Sequence, residues 1–359
     1  MMKCQNDFVN KVICGDALSV LKTFPSESVN MAITSPPYFG LRDYGIEQIF
    51  GGDKDCEHEW DAQSGRKLRG TDSSSRKEVY PDIHLPDSNI CRKCGAWKGQ
   101  LGLEPTPEMY IEHMTIVFHE LKRVLKKEGT FWLNIGDTYG GSNSRASHGG
   151  RAGFGIKREG VFKRGMAKCL MMIPERLAWS LIQDGWILRN KGVWYKPNGM
   201  PSSVGDRFTN KWEYLFMFSK SKKYYFDLDA VREPHKQVSL ERVKRPWNGH
   251  REPMSSYSEM EISRMCHPNG KNPGDVFIIN TQPFPEAHFA VFPPKLVETP
   301  IKACCPKPGV VLDPFIGAGT TGFVAKKLGK DFTGIELNPK YAEMARKRIF
   351  GSLFKELRT

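Results

Sequence analysis

Val310-Val311-Leu312-Asp313-Pro314-Phe315-Ile316-Gly317-Ala318-Gly319-Thr320-Thr321 joins an apolar strand to an acid, a Gly-x-Gly turn and the start of a helix. The glycines let backbone approach a ligand closely, and the helix N-terminus offers free N–H groups. The helix is expected over Thr320 to Leu328, stopped by Gly329. The next strand, Asp331 to Glu336, ends in a second acid 19 residues past Gly317. A carboxylate there can accept two hydrogen bonds from a ribose diol. Strand, Gly-x-Gly, helix, strand and acid in register point to a nucleoside-containing cofactor. Gly322 completes a Gly-x-Gly-x-x-Gly spacing, so spacing alone does not exclude a dinucleotide. Asp313 counts against one, because a carboxylate repels a pyrophosphate but can bind a cation. S-adenosylmethionine carries a sulfonium and an ammonium, which favours methyl transfer.

The same grammar extends outward. Gly309 to Asp313 is preceded by a helix-like Pro294 to Cys304, in which Pro300 is expected to kink or interrupt the helix. A last helix starts at Asn338-Pro339 and runs to about Ile349. At the other end of the chain, Val12-Ile13-Cys14, a helix from Ala17 to Phe24 and a strand from Val29 to Thr34 begin a parallel α/β sheet. Thr106-Pro107 opens a helix with Tyr110, Met114, Val117, Leu121 and Val124 at helical spacing, which Gly129 is expected to end. A strand from Thr130 to Ile135, a helix from Pro174 to Gln183 and strands from Trp186 to Tyr195 and Trp212 to Phe218 follow. No internal repeat is present.

The strand from Val29 runs into Thr34-Ser35-Pro36-Pro37-Tyr38. Two prolines cannot continue a helix or donate to a sheet ladder, and their carbonyls stay free to accept hydrogen bonds. A hydroxyl precedes them and an aromatic ring follows. Such a turn can hold a flat molecule bearing an amino group, although a Pro-Pro turn taken alone is more often a plain strand stop.

The 359 residues allow one large domain or two, and 39% hydrophobic with 26% charged residues is a soluble globular balance. No apolar run approaches the roughly 20 residues of a membrane span, and Met1 to Asn10 lacks a signal-peptide layout. A cytoplasmic location with no membrane partner is expected. Nine cysteines, an odd number at scattered spacing, argue against a disulfide framework. The net charge of +13 points to a polyanion, of which nucleic acid is the commonest. Arg145, Arg151, Lys157, Arg158, Lys163, Arg164 and Lys168 lie in a Gly- and Ser-rich stretch with Glu159 as its only acid. Lys236, Arg242, Lys244, Arg245 and Arg251 surround Trp247. Basic residues on irregular segments with an aromatic nearby suit phosphate contacts.

Periodicity lapses over residues 51–103, which reads as an insertion. It pairs Cys56 and His58 (Cys-x-His) with Cys91 and Cys94 (Cys-x-x-Cys), four soft ligands suited to tetrahedral zinc, with His84 as a substitute ligand. A short polar insert gains much from such a staple. The alternative is unrelated cytosolic thiols.

Ser35-Pro36-Pro37-Tyr38 together with Asp313-Pro314-Phe315-Ile316-Gly317-Ala318-Gly319-Thr320-Thr321 resembles the DNA amino-methyltransferases, which modify the exocyclic amino group of cytosine or adenine. The catalytic stretch precedes the cofactor stretch, an order similar to the β class, a circular permutation of the usual arrangement. His288-Phe289-Ala290-Val291-Phe292-Pro293 is similar to a further cofactor motif, and Gly15-Asp16-Ala17-Leu18 to an acidic one. The resemblance implies a Rossmann-like, mostly parallel α/β methyltransferase sheet; the inserted zinc-binding segment and a small target-recognition region fall outside it. It implies that Asp313, Phe315, Gly317 and Gly319 line the methionine end of S-adenosylmethionine, with Thr320 and Thr321 nearby. Glu336 would hold the ribose, Asp16 would lie near the adenine and Phe292 would pack on the cofactor. Asp16 is also placed to cap the helix that follows it; His288 is given no proton-transfer role.

An aromatic amine is a poor nucleophile because its lone pair is delocalised. Ser35 and the Pro36 carbonyl can grip its N–H groups, with Pro37 completing the turn and Tyr38 stacking on the base. The base must leave the double-stranded DNA to reach them. In the family it resembles, Ser at the first motif position usually accompanies cytosine N4 and Asp or Asn adenine N6, so the resemblance implies cytosine N4 over adenine N6.

The expected organisation is an N-terminal catalytic part (1–50), the insertion (51–103), a continuation (104–231) with a mobile basic loop (140–168), a recognition region (232–274) and a cofactor part (275–359). Arg189, Lys191 and Lys196 are candidate phosphate contacts. A homodimer and a companion restriction endonuclease without direct contact are compatible with the resemblance. Two further readings are an RNA or protein amide methyltransferase and a catalytically silent DNA-binding protein.

Overall fold

β9 (Val310–Asp313) and β2 (Val29–Thr34) lie side by side, parallel, at the centre of an eight-stranded sheet. The structure, a computed structural model, describes residues 8–60, 89–140, 166, 168–243, 266–282 and 292–351. The remaining strands are β1 (Lys11–Cys14), β5 (Leu125–Ile135), β6 (Ile187–Tyr195), β7 (Trp212–Ser219), β8 (Val276–Ile278) and β10 (Asp331–Glu336). The order is β1-β10-β9-β2-β5-β7-β6-β8. Only β7 runs against its neighbours; the other pairings are parallel, so their carboxyl ends share one edge. β3 (Gln48–Phe50) and β4 (Trp97–Gly99) form a separate antiparallel pair at the base of the insertion.

Alternation along the strands sorts the core into two layers. Ala32, Phe216 and Phe218 face α1 (Ala17–Thr23), α2 (Pro107–Val124) and α3 (Ile173–Gln183), which supply Leu21, Met114, Phe118 and Leu177. Met31, Ile33, Leu215 and Met217 face α5 (Pro294–Cys304), α6 (Thr320–Lys327) and α7 (Pro339–Gly351), which supply Leu296, Val324, Ala345 and Ile349. A short α4 (Gln237–Val243) lies outside both layers.

Two expectations are corrected. Gly129 does not end α2; the helix stops at Val124 and Gly129 lies inside β5. The register with β2 shifts there, and a Cβ on Gly129 would stand 2.9 Å from the Lys126 carbonyl and 3.1 Å from that of Asn30. The glycine serves close strand approach at a bulge. Pro300 does not interrupt α5, which continues through it with Leu296, Val297 and Ile301 buried around it. Burial of that face outweighs the lost helical hydrogen bond.

Candidate active site

Chain direction changes between β2 and β9. From β9 the chain crosses through α6 to β10 on one side, whereas from β2 it crosses through α2 to β5 on the other. Ligands of open α/β sheets bind outside the carboxyl ends at such a switch point. A cavity of about 1650 Å³ opens there. Ser35, Pro36, Pro37 and Tyr38 line one wall. Asp16, Phe292, Phe315, Gly317, Thr320 and Glu336 line the other.

Asp313, Gly319 and Thr321 are brought close to this wall but lie beneath it. Asp313 is buried and bound by the hydroxyls of Thr34 and Thr321, each at 2.6 Å, and by the Phe315 N–H at 3.0 Å. It ties β2 to β9 and to the start of α6 and is not among the residues lining the cavity. Burial pushes its carboxyl up to about 6, against the lowering effect of those three donors. Gly319 has φ 83°, and a Cβ there would come within 3.0 Å of Ala345. The glycine therefore lets α7 approach the Gly-rich turn.

Glu336 stands at the end of β10, where it accepts the Gly317 N–H and the Asn338 N–H, both at 2.9 Å. These bonds fix the carboxylate against the turn it shares the cavity with. Burial is the main cause raising its pKa, and the Asn338 and Gly317 donors oppose it. The Thr320 hydroxyl accepts from Arg348 of α7 at 2.9 Å. Asp16 accepts the Ser19 N–H at 2.8 Å, so it caps α1 while lining the cavity.

In the Pro-Pro turn, Tyr110 donates to the Pro37 carbonyl at 2.9 Å. The Pro36 carbonyl has no donor among the described residues. The Tyr38 ring lies on Gly136, where a Cβ would stand 2.8 Å from Cε2. Its hydroxyl meets Ser35 at 3.1 Å, Asn134 at 3.1 Å and Glu213 at 2.9 Å. Burial and the Glu213 carboxylate raise the Tyr38 pKa well above 10.0, so the phenol stays protonated.

Asn134, Lys196 and Glu213 escaped the sequence reading of this wall. Asn134 and Glu213 are polar residues within apolar strand runs, which was the available signal. Lys196 pairs with Glu213, Lys191 with Glu175 at 3.1 Å, and Arg189 donates to Tyr224 at 2.9 Å. All three candidate phosphate contacts are thus engaged within the protein.

Cys56, His58, Cys91 and Cys94 converge, with their ligand atoms all within 4.8 Å of one another. Cys56 and Cys91 sulfurs are 3.9 Å apart, and the Cys94 sulfur is 3.4 Å from His58 Nδ1. A tetrahedron with zinc–sulfur bonds of about 2.3 Å has edges of about 3.8 Å, so the donors fit the ion. Gly95 at φ 72° turns the chain after Cys94. His84 lies outside the described residues, as do His288, residues 141–165 of the basic loop and residues 244–265 of the recognition region.

No helix among the described residues is long and apolar enough to cross a membrane. A family model described as DNA methylase matches residues 29–347. The Type II methyltransferase M.XycI of Xanthomonas campestris pv. cyanopsidis is 36% identical over 94% of this chain and 86% of its own length. M.SmaI of Serratia marcescens, also a Type II methyltransferase, is 34% identical over 94% of this chain and 90% of its own. Among solved structures, the cytosine-N4-specific PvuII DNA methyltransferase has a TM-score of 0.55 at 17% identity, covering 96% of this chain and 90% of that one. A putative DNA modification methylase of Thermus thermophilus, complexed with S-adenosyl-L-methionine, has a TM-score of 0.52 at 20% identity, covering 95% and 93%. At these identities the structural likenesses establish a shared fold.

Proposed function

Since the chain belongs to the DNA methylase family, we propose that it transfers a methyl group from S-adenosylmethionine to the exocyclic amino group of a base flipped out of double-stranded DNA, with cytosine N4 as the target. The observation that carries this is the shared cavity at the switch point, with the Pro-Pro turn on one wall and the Gly-rich turn and Glu336 on the other. An amine held at the first wall can face a sulfonium held at the second.

S-adenosylmethionine is consumed in each turnover and supplies an electrophilic methyl group. Glu336 holds its ribose, Asp16 lies near its adenine, and Phe292 and Phe315 pack against it. Gly317, Gly319, Thr320 and Thr321 shape the turn beside its methionine end, with Asp313 fixing that turn from below. Ser35 and the open Pro36 carbonyl accept the amine N–H groups, localising the lone pair and aiming it at the methyl carbon. Tyr38 offers its ring to the base. Catalysis then rests on positioning and on acceptors arranged in advance. The target assignment rests on Ser35; adenine N6 is the alternative.

The motif order supports the β class and a circularly permuted sheet. Cys56, His58, Cys91 and Cys94 are proposed to hold a structural zinc in the 51–103 insertion, an ion that methyl transfer itself does not need. Residues 232–274 are proposed to read the DNA sequence. The two ends of that segment are pinned together by the Glu233–Lys271 bridge and by Arg232 donating to the Gly270 carbonyl at 2.9 Å. The basic loop 140–168 is proposed to contact DNA. A homodimer and a companion restriction endonuclease acting without direct contact complete the setting.

The test is methylation of duplex DNA with labelled S-adenosylmethionine, digestion to nucleosides and mass spectrometry. N4-methylcytosine is expected. N6-methyladenine alone would overturn the target, and label only in RNA or protein would overturn the substrate class. Sequencing that reads modified bases gives the recognition site.

A further inference from the structure

The cavity wall at the Pro-Pro turn carries a connected set of polar side chains, of which the steps above use only Ser35 and the Tyr38 ring. Ser35 Oγ donates to the Tyr38 hydroxyl at 3.1 Å. That hydroxyl is 2.9 Å from Glu213 Oε2, closer than its 3.1 Å to Asn134 Oδ1. Asn134 Nδ2 donates to the same Glu213 oxygen at 3.3 Å and to the Tyr214 carbonyl at 3.0 Å. Lys196 pairs with the other carboxylate oxygen. The charged group on the far side is thus balanced, and each neighbour of Glu213 donates to it.

This arrangement has a direction. An ionised carboxylate only accepts hydrogen bonds. Tyr38 must then point its proton at Glu213, Ser35 must point its proton at Tyr38, and the lone pairs of Ser35 are left facing the cavity. Those lone pairs are what an amine N–H requires. Reversed, the chain would offer the amine an O–H donor and leave Glu213 without its partner.

The chemistry also releases a proton that needs a destination. When nitrogen attacks, the N–C bond forms, the S–C bond breaks and its electron pair stays on sulfur. The amine then carries two hydrogens, one methyl group and a positive charge, and one N–H proton must leave to restore a neutral secondary amine. Resting on the proposed amino-methyl transfer, we propose that this proton leaves through Ser35 and Tyr38 to Glu213. The N–H bond breaks with its electron pair returning to nitrogen and the proton passes to Ser35 Oγ. The Ser35 proton passes to Tyr38, and the Tyr38 proton to Glu213 Oε2. Ser35 and Tyr38 end neutral, as they began, and Glu213 ends as a carboxylic acid beside Lys196, later discharging to water at the cavity mouth. Glu213 acts through Ser35 and Tyr38 as a positioning and proton-accepting residue.

The groups facing Glu213 are Tyr38 from the turn after β2, Asn134 from β5 and Lys196 from the end of β6. Asp137, the nearest other acid after β5, is turned away and accepts the N–H groups of Thr138, Met172 and Ile173.

The experiment is single-turnover methyl transfer to duplex DNA at saturating S-adenosylmethionine, in water and deuterium oxide, for wild type, Glu213→Gln, Tyr38→Phe and the double variant. Melting curves and calorimetric binding of S-adenosylmethionine check that each variant is folded. Wild type should show a solvent isotope effect. Each single variant should be about 10²-fold slower, lose the isotope effect, and bind S-adenosylmethionine unchanged. The double variant should lose no more than either single one, because both interrupt one path. Tyr38→Phe leaves the Glu213–Lys196 pair in place, so it tests the relay even if Glu213→Gln does not fold. Multiplying losses, or variants that retain the wild-type isotope effect, would overturn the relay. A wild-type protein that transfers no methyl to DNA would overturn the functional reading itself.

Discussion

Thr34 donates its hydroxyl to Asp313 at 2.6 Å across 279 positions of sequence. The bond crosses the switch point and joins the residue before Ser35 to the acid that opens the Gly-rich turn. It makes the spacing between the two walls of the cavity a property of the sheet. Thr34→Val should leave Asp313 Oδ1 with the Phe315 N–H as its remaining donor, losing a hydrogen bond to a charged group at a cost of about 1.5–3 kcal/mol. A lower melting temperature and a slower methyl transfer should appear together. An unchanged melting temperature would mean that the bond contributes no such stability.

Asp313 also gives stability a pH dependence. Its pKa is raised from 3.8 to about 6, chiefly by burial. Between those values the folded chain keeps a proton that the unfolded chain has lost, so this group's contribution falls as pH rises through about 4 to 6. A shift of that size corresponds to about 3 kcal/mol. Asp313→Asn cannot titrate. The stability difference between wild type and Asp313→Asn should therefore move against wild type from pH 4 to pH 6, as read by urea melts at each pH.

Ser35→Ala removes an acceptor for the amine and the first member of the polar chain behind it. Methyl transfer should fall by about 10²-fold or more. Binding of S-adenosylmethionine should not change, because Ser35 lies on the opposite wall from Gly317 and Glu336. Rapid-quench kinetics paired with calorimetry separates the two.

Much of this was legible in the sequence because it is local. The Gly-rich turn, the acid at the end of β10 and the two ligand pairs of the insertion depend on spacing and side-chain type within a few residues. What was illegible is what the sheet brings together. The anchoring of Asp313 is not local, because its partner Thr34 comes from the far end of the chain. Glu213 and Lys196 read as the start of a strand and a surface charge until β7 and β6 pair beside β5. Gly129 reads as a helix stop because nothing local reveals that the Asn30 carbonyl comes so near.

Glu336→Gln should weaken S-adenosylmethionine binding by about 10–100-fold, the range of a hydrogen bond to a charged group. The amide brings a donor to a position already faced by the Gly317 and Asn338 N–H groups. The wild-type carboxyl has a further consequence. Burial raises its pKa, so it becomes neutral at a higher pH than an ordinary glutamate. Cofactor affinity should decline as pH falls, and the decline should be absent from Glu336→Gln. Calorimetric titration at several pH values reads both effects.

The four ligands of the insertion should carry one zinc per chain. The ion would close the loop between β3 and β4, and that loop is part of the cavity: Gly52, Asp53 and His58 within it, and Phe50, Gln100 and Leu101 beside it, all line the wall. A Cβ on Gly52 would stand 2.7 Å from the Cys94 sulfur, so the ligand turn is packed directly on this wall. Zinc removal should therefore act twice. It should expose residues 51–103 to proteolysis, since local opening is what a protease samples. It should also weaken cofactor binding, although no ligand of the ion touches the methyl group. Cys91→Ser should reproduce both effects without chelator. Protein purified in chelator-free buffer and analysed by mass spectrometry for metal checks the premise; a zinc content near zero would sink it. Intact cofactor affinity after zinc loss would confine the ion to holding the insertion alone.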